Sequence, residues 1–355
     1  MRAAALAGLL ILLLAGCAPL KQHTLSTSPA FDVPRLEQHD FVSFDGARLG
    51  MQHWDAADEP WAVVIGLHGM DDYANTFHLA AEHWAGEGIT TYAYDQRGFG
   101  RSPQRGVWPG AQLMDEDLRT FAALIRQRFP HAIVAVAGVS MGGAVAIDAF
   151  ASERPPTADR LVLLSPAVWG WSSQPVPYRV ALWSLAHMAP GLVLNPPSFI
   201  TSHIRASDNT AELIRMGRDP QLIWGARTDA LYGLTGLMQR GWAETGKLTI
   251  PTLYAYGAKD QIIPKQAAFH AAAALPEGDR TAYYAGGYHL LLIDLENPRV
   301  WDDVVAFLRD PKAPLPSGAP PMPKTEAPAK ALDKASSEPK PTAAALPPPA
   351  AAAAG

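Results

Sequence analysis

The sequence has a single cysteine, no excess of basic residues and no repeated unit, and each absence excludes a class of protein. Because Cys17 is the only cysteine, no disulfide bond can form within the chain. The 355 residues carry a formal net charge of -5, so the clustered basic surface expected of a nucleic-acid-binding domain is missing. The sequence shows no repeat period either, which excludes a solenoid or a propeller.

Long apolar runs are also scarce outside the N-terminus. Residues 1–16 carry one positive charge followed by an apolar run too short to span a bilayer, which is the layout of an export signal. The Leu-Ala-Gly-Cys tetrad at 14–17 resembles the lipobox of bacterial lipoproteins, which implies cleavage before Cys17 and attachment of a lipid to it. By the same resemblance, Ala18 favours sorting to the outer membrane. We therefore expect a membrane-tethered protein of the cell envelope, with an ordinary cleaved signal and an incidental cysteine as the alternative.

The C-terminal part lacks the residue types that build a core. Beyond Phe307 there is no aromatic residue, valine or isoleucine, and residues 310–355 are rich in proline and alanine. Such a segment cannot bury enough apolar surface to fold, which predicts a disordered tail. The sequence thus divides into the signal, a linker at 17–38, a globular domain at 39–309 and the tail.

Within the globular domain, short β-rich apolar runs alternate with helical patterns. This alternation predicts an α/β fold with a mostly parallel central sheet and helices on both faces. The strands are predicted at 41–44, 48–54, 62–67, 90–94, 133–137, 161–164, 252–256 and 281–284. Between Pro166 and Ile250 the alternation stops, and three amphipathic helical patterns predict a helical cap at about 167–248. Such an insertion would lie above the carboxyl ends of the strands, where open α/β sheets bind ligands.

The strongest chemical signal is a Gly-Val-Ser-Met-Gly motif at 138–142, centred on Ser140. It follows the predicted strand at 133–137 and precedes a helix, which is the context that a nucleophilic serine at a strand-to-helix turn requires. The turn would also aim the backbone N–H of Met141 at the reacting centre, where negative charge develops in acyl transfer. The five residues are common, so the motif alone could arise by chance.

A serine hydroxyl needs a base and an orienting acid, and in this arrangement they follow Ser140 in the order acid, then histidine. His289 comes just after a predicted strand, whereas His270 lies in an alanine-rich helical stretch and suits a surface or packing role. Asp260 directly follows the strand at 252–256 and is the candidate acid. Asp229 is its rival, but it lies in the helical insertion and suits a helix cap.

A second oxyanion donor is expected from the turn after the strand at 62–67, where the backbone N–H of Met70 is the candidate. His68 with Asp71 and Asp72 also suggests a metal site, but no second histidine stands at ligand spacing, so no metal is expected. The glycines of Gly98–Gly100 are not followed by a helix, so no cofactor is expected either.

Six separated motifs together resemble the monoacylglycerol lipase and lysophospholipase branch of the α/β-hydrolases, the branch related to serine aminopeptidases of the S33 type. They are His68-Gly69, the run at 95–102, the run at 138–143, Arg218-Asp219-Pro220, the run at 257–260 and Tyr288-His289. The resemblance implies the α/β-hydrolase fold, no cofactor, and cleavage of a carboxylic ester through an acyl-serine intermediate. In it Ser140 is the nucleophile, His289 the base and Asp260 its orienting acid, while the amides of Met70 and Met141 form the oxyanion hole.

The resemblance further implies a mono-acyl lipid as substrate, either a monoacylglycerol or a lysophospholipid. Two positions depart from the family, since Val139 replaces the usual histidine and Met70 replaces a small residue. Apolar residues of the insertion could line an acyl tunnel or simply pack the cap; they are Trp169, Trp171, Trp183, Leu185, Met188, Leu231, Leu234, Leu237 and Met238. A small-ester hydrolase, a peptidase of the same fold and a non-catalytic membrane-tethered binding protein remain alternatives.

Overall fold

A sheet of nine described strands runs through the molecule. The structure is a computed structural model that describes residues 19–25, 31, 33–195 and 203–323. The signal at 1–16, Cys17 and residues 324–355 lie outside the described residues. In the described ranges, no helix is both long and apolar enough to cross a membrane.

The strands and helices alternate along the chain as the sequence predicts. The strands are β1 Arg35–Leu36, β2 Asp40–Val42, β3 Arg48–Trp54, β4 Ala62–Leu67, β5 Ile89–Tyr94, β6 Ile133–Val139, β7 Arg160–Leu164, β8 Val193–Leu194, β9 Ala226–Arg227, β10 Thr252–Gly257 and β11 Arg280–Tyr284. The helices are α1 His78–Gly86, α2 Ala111–Arg128, α3 Met141–Phe150, α4 Val176–Met188, α5 Thr210–Gly217, α6 Thr228–Glu244, α7 Lys265–Ala274 and α8 Asn297–Arg309.

The strand order in the sheet is β1-β2-β3-β5-β4-β6-β7-β10-β11, and the sheet is antiparallel at one end and parallel over the rest. Strands β1, β2 and β3 pair antiparallel, β3 pairs antiparallel with β5, and the remaining neighbours are parallel. The carboxyl ends of the parallel strands therefore meet at one edge of the sheet. The predicted mostly parallel sheet with helices on both faces is confirmed.

Side chains of the central strands are buried on both faces and alternate between two apolar clusters. In β6, Val134 and Val136 join the cluster under α2, α3, α6 and α7, whereas Ala135 and Ala137 join the cluster under α1 and α8. This is the period of two that a strand imposes on its side chains. Burial on both faces explains why these strands appear in the sequence as continuous apolar runs.

The cap lies between β7 and β10 and contains α4, α5 and α6. It also contains the short strands β8 and β9, which pair antiparallel with Val193 opposite Arg227. The expectation that this region has no strands is wrong at these positions. Two residues per strand are too few to produce a period-two pattern, so the sequence carries no signal for them.

Parts of both predicted flanking segments are ordered against the domain. Arg35–Leu36 forms β1 inside the predicted linker. In the predicted tail, Leu315 and Met322 are buried, and the amide of Tyr283 in β11 donates to the carbonyl of Pro320 at 2.8 Å. The described residues that contact the domain thus extend to 323, fourteen beyond the boundary predicted at 309. A backbone hydrogen bond to the last strand and the bond from the amide of Met322 to the side chain of Thr281 hold the segment, and composition cannot reveal such contacts.

Candidate active site

Ser140 occupies a sharp turn between β6 and α3 and has a strained backbone, with φ 51° and ψ -114°. The flanking glycines explain how the turn can be so tight. A Cβ atom on Gly138 would lie 2.6 Å from the backbone of Gly142, and a Cβ atom on Gly142 would overlap the carbonyl of Leu67 in β4. The turn therefore forces helix α3 directly against the sheet, and any side chain at these two positions would push it away.

Hydrogen bonds on both sides hold the strained residue in place. The amide of Ser140 donates to the carbonyl of Leu164 at the end of β7, at 3.0 Å. Its carbonyl accepts from the amides of Ala144 at 3.2 Å and Ala167 at 2.9 Å. A backbone conformation that costs on the order of 1–3 kcal/mol persists only where the surroundings fix it in this way.

Asp260 and His289, predicted as acid and base, lie in direct contact. Nδ1 of His289 is 2.8 Å from Oδ2 of Asp260, and both side chains are buried. The other carboxylate oxygen of Asp260 accepts the amides of Ile262 at 2.7 Å and Ile263 at 3.0 Å. Because the carboxylate of Asp260 can only accept hydrogen bonds, Nδ1 of the neutral ring carries the proton and donates a hydrogen bond to Asp260, and Nε2 is left as an acceptor.

The loops that carry these two residues are joined by backbone contacts. The amide of Lys259 donates to the carbonyl of Gly287 at 2.9 Å, and a Cβ atom on Gly257 would overlap the carbonyl of Tyr288. The amide of Tyr288 in turn donates to the buried carboxylate of Asp294 at 2.7 Å. Burial raises the pKa of Asp294 to about 6. Asp294, which follows His289 in the chain, therefore anchors the loop that holds His289.

The two predicted oxyanion donors lie beside the serine turn. Gly69 comes so close that a Cβ atom on it would be 3.4 Å from Cβ of Ser140, which places the neighbouring Met70 at the same edge of the sheet. Met141 is the first residue of α3, so its amide has no acceptor within the helix. Asp71 follows Met70 with a positive φ of 63°, so the chain makes a left-handed turn directly after the predicted donor.

His68 is buried, and both of its ring nitrogens are bonded to backbone groups, so neither nitrogen is free to bind a metal. Its Nε2 accepts the amide of Gln96 at 2.8 Å, and its Nδ1 lies 2.7 Å from the carbonyl of Gly69. Burial lowers the pKa of His68 to about 4, so the ring is neutral. Across the described ranges, no group of three or more histidine, cysteine and acidic residues is placed to hold a metal.

The rivals considered from the sequence lie elsewhere. Asp229, in the first turn of α6, pairs with Arg227 through two hydrogen bonds of 2.9 and 2.7 Å. His270 is exposed on α7 and stacks on Trp242, with ring centroids 4.1 Å apart. Asp229 thus has an ion-pair role, and His270 the surface packing role expected of it.

The sequence did not reveal how the cap is bonded to the site loops. The hydroxyl of Tyr73, three residues beyond Met70, donates to Asp219 of the cap at 2.6 Å. Next to it, the amide of Ile223 donates to the carbonyl of Asp71 at 2.9 Å. The run at 218–220 was one of the motifs that carry the family resemblance. The bonding partner of Asp219, Tyr73, lies 146 residues away, so no local sequence pattern indicates this contact.

A second set of bonds joins the cap to the histidine loop. The amide of Leu290 donates to the carbonyl of Ala206 at 2.9 Å, and the side chain of Asn209 donates to the carbonyl of Ile293 at 2.9 Å. The cap therefore contacts both the oxyanion turn and the loop of His289. A movement of the cap would therefore act on both of these loops.

The apolar cap residues divide into two groups. Leu237 and Met238 are buried on α6 and pack into the core, whereas Trp183 and Met188 on α4 are 52% and 80% exposed. The first group has the packing role that the sequence left open. A cavity of about 650 Å³ lies elsewhere, between residues 21–24, the start of α2 and Arg240.

The run at 95–102 serves the fold rather than the chemistry. The guanidinium of Arg97 is buried and forms paired hydrogen bonds with both Asp45 and Asp117, at 2.7–2.8 Å. Asp117 also accepts the hydroxyl of Ser43 at 2.5 Å. Arg97 thereby ties the β2–β3 turn to α2, beneath the loop that leads toward the cap.

Comparisons with known proteins agree with this geometry. A family model described as serine aminopeptidase, S33, matches residues 58–296. The monoacylglycerol lipase of Mycolicibacterium smegmatis is 27% identical over 289 residues, which are 76% of this chain and 96% of that protein. The monoglyceride lipase of Rattus norvegicus is 27% identical over 289 residues, 80% of this chain and 91% of that protein.

Solved structures share the fold at lower identity. A soluble variant of the monoglyceride lipase from Saccharomyces cerevisiae, in complex with a substrate analog, superposes with a TM-score of 0.65 at 17% identity, covering 82% of this chain and 99% of that one. The monoacylglycerol lipase of Paleococcus ferrophilus gives a TM-score of 0.60 at 22% identity, covering 73% and 98%.

Proposed function

From the premise that the chain belongs to the serine aminopeptidase S33 family of α/β-hydrolases, we propose that it hydrolyses carboxylic esters of mono-acyl lipids. The substrate would be a monoacylglycerol or a lysophospholipid. The observation that carries the proposal is the buried hydrogen bond of 2.8 Å between Asp260 and His289, at the sheet edge where Ser140 occupies its strained turn. The relatives named monoacylglycerol lipase, which align over about three quarters of the chain, support the choice of substrate.

In the first half of the proposed reaction, the hydroxyl oxygen of Ser140 attacks the ester carbonyl while Nε2 of His289 takes the hydroxyl proton. Asp260 stabilises the resulting imidazolium through the bond to Nδ1. The negative charge on the tetrahedral intermediate falls between the amides of Met70 and Met141. The intermediate then expels glycerol, or the glycerophosphodiester in the case of a lysophospholipid; the leaving oxygen receives the proton from His289, and an acyl-Ser140 ester remains.

In the second half, water attacks the acyl carbonyl and gives a proton to His289. Collapse of the second tetrahedral intermediate releases the fatty acid and returns the proton to the oxygen of Ser140. No cofactor takes part, since every proton and charge is handled by these side chains and backbone amides. The proposed lipid anchor at Cys17 would tether the enzyme to a membrane of the cell envelope, the outer membrane by resemblance, where its substrate lies.

Labelling with a fluorophosphonate tests the mechanism, because the reagent phosphonylates an activated serine. Wild type and a Ser172→Ala control, altered at an exposed serine, should be labelled, while Ser140→Ala should not. Turnover of a monoacylglycerol should disappear in the same variant. Equal labelling of Ser140→Ala and wild type would refute the proposal, and absence of turnover by the labelled wild type would favour a binding role.

The family description raises a second candidate, a peptidase that removes N-terminal residues. A series of glycerol esters with increasing acyl length, compared with aminoacyl amides, separates the two. We expect kcat/KM to be higher for the esters and to rise with acyl length. Faster cleavage of the amides would assign the chain to the peptidases.

A further inference from the structure

The first described segment, residues 19–25, is held against the domain at Gln22 and, three residues further on, by the amide of Leu25, which donates to Asp45 at 2.9 Å. Gln22 is buried, while its neighbours from Leu20 to Leu25 are exposed. Its amide donates to the carbonyl of Trp108 at 3.0 Å, and its side chain donates to the carbonyls of Val107 at 2.9 Å and Pro103 at 3.3 Å. A backbone bond and two side-chain bonds at one residue fix both the position and the direction of this segment.

The loop that receives Gln22 also contacts the cap. Arg105 donates to the carbonyls of Pro220 at 2.8 Å and Leu222 at 2.9 Å. Trp108 packs so closely on α6 that a Cβ atom on Gly233 would overlap its ring. The loop at 103–108 thus lies between the clamped segment and the cap, and holds them as neighbours.

The cap carries an exposed apolar surface that the rest of the described chain leaves uncovered. Of the thirteen residues of α4, Ala186 alone is buried. The helix contains no acidic residue and exposes five large apolar side chains by half or more: Val176, Tyr178, Val180, Trp183 and Met188. Trp224, two residues beyond the carbonyl that Arg105 holds, is 63% exposed. Exposed apolar side chains in this number, with tryptophan and tyrosine among them, are typical of a membrane-contacting element.

The distance from the clamp to the proposed lipid anchor is short. Only five residues lead from Cys17 to Gln22, and a chain of that length spans at most about 17 Å when fully extended. A bilayer that held acyl chains on Cys17 would therefore lie within about 17 Å of Gln22 and of the loop beside the cap. A flexible linker of the predicted length, to residue 38, would allow any orientation, whereas the clamp removes most of that freedom.

We propose that Gln22 clamps the anchor segment so that the apolar face of α4 rests on the bilayer that holds the lipidated Cys17. The inference rests on the lipid anchor included in the proposed function. The occupant of the exposed face is thus the phospholipid surface itself. Arg179 on α4 and Lys21 on the clamped segment add positive charges suited to anionic headgroups. The clamp would orient the enzyme so that a lipid leaving the membrane meets the cap first.

Because Cys17 is the only cysteine and lipidation would consume its thiol, one introduced cysteine gives a unique attachment point for a polarity-sensitive fluorophore. The lipidated full-length protein carrying Val180→Cys would be labelled and reconstituted in vesicles of phosphatidylethanolamine and phosphatidylglycerol. Glu153→Cys is the matched position, exposed just beyond the C-terminus of α3 and thus at the opposite edge of the sheet. We expect a blue shift on reconstitution at Val180→Cys and none at Glu153→Cys.

Adding Gln22→Ala or Gln22→Glu should remove at least half of the blue shift, because the clamp loses its donor bonds, whereas adding His23→Ala should leave it unchanged. Hydrolysis of a water-soluble short-chain ester should stay within about twofold of wild type in all of them, since Gln22 bonds to Pro103, Val107 and Trp108 and not to the proposed catalytic residues. Hydrolysis of monoacylglycerol within the vesicles should fall with the shift.

Three results would overturn the inference: no blue shift at Val180→Cys in vesicles, a shift that survives both Gln22 variants, or the same shift in solution through self-association of the protein. Failure of the proposed function is distinguishable, because it would abolish turnover of the soluble ester while the fluorescence readout stays interpretable. A supporting result needs the shift, its loss in both Gln22 variants and its retention in His23→Ala.

Discussion

The sheet edge that carries Ser140 and the cap above it are stabilised in different ways. Strands β4 and β6 are buried on both faces, and the serine turn, the acid and the histidine are each fixed by several backbone bonds. The cap packs into the core through Leu237 and Met238 of α6, bonds to this edge through hydrogen bonds such as that of Tyr73 to Asp219, and leaves most of α4 exposed. Backbone bonds and packing thus fix the proposed catalytic residues, while the cap above them leaves apolar side chains exposed.

Removing the base should produce the largest effect of any change on the rigid side of this comparison. His289→Ala should lower kcat for a soluble ester by about 10²–10⁴-fold, because general base catalysis supplies a factor of that size. The matched control is His270→Ala, at the exposed histidine on α7, which should change kcat by less than about twofold. Steady-state kinetics measure both, and similar losses in the two variants would contradict the assignment.

Breaking the buried ion cluster tests whether the rigid side depends on charge as well as on apolar packing. Arg97→Met leaves Asp45 and Asp117 without their partner in the interior, so the free energy of unfolding should fall by about 3–5 kcal/mol. In Arg48→Met the lost pairs with Glu37 and Asp40 are largely exposed, and the change should stay below about 1 kcal/mol. Urea denaturation measures the free energy of unfolding of both variants, and equal losses would show that burial of the ion cluster does not matter for stability.

A smaller effect is expected where the two regions meet. Tyr73→Phe removes the hydrogen bond from the oxyanion turn to Asp219, and the loss of about 0.5–1.5 kcal/mol corresponds to about a two- to tenfold fall in kcat. KM for a soluble ester should change little, because the bond positions the turn and does not contact substrate. Tyr178→Phe, at an exposed tyrosine of the cap, is the control. A change in KM alone would mean that the bond acts on substrate entry.

The smallest effect concerns the pH dependence of stability at the contact between α2, α3 and the cap helix α6. Burial and the neighbouring Asp148 raise the pKa of Asp115 to about 8, while Arg240 of α6 pairs with Asp148 at 2.8 Å. The folded chain therefore keeps a proton that the unfolded chain loses above about pH 4, so this contribution to stability declines between about pH 4 and 8.

Asp115→Asn cannot ionise, so its melting temperature should fall less than that of wild type over this range. The difference should be at least about 2–4 °C, the shift that 1 kcal/mol produces in a large domain, because the two states differ in protonation over most of this range. Asp302→Asn, in an exposed pair with His83, should keep the wild-type slope. Thermal unfolding at pH 5 and pH 8 measures this difference in melting temperature. The same change with pH in wild type and both variants would count against a raised pKa of Asp115.

The sequence was most informative where structure is local. The strands at 48–54 and 62–67 were predicted to the residue and the other predicted strands nearly so, because apolar runs and turn residues are adjacent in the chain. The proximity of Asp260 to His289 followed from their places after neighbouring parallel strands. The Tyr73–Asp219 bond and the clamp at Gln22 join residues 146 and more than 80 positions apart, and no local pattern encodes such pairs.

The segment at 310–323 has a consequence for aggregation. β11 is the last strand of the sheet, and an uncovered edge strand offers its free amides and carbonyls to any other chain. The amide of Tyr283 is already bonded to Pro320, and the amide of Met322 donates to the side chain of Thr281 at 2.9 Å. A proline-rich strip makes a safe cover, since prolines lack the donors needed to recruit a further strand. A chain shortened to residue 309 would therefore expose a template for intermolecular β-pairing, whereas one shortened to 323 would keep it closed.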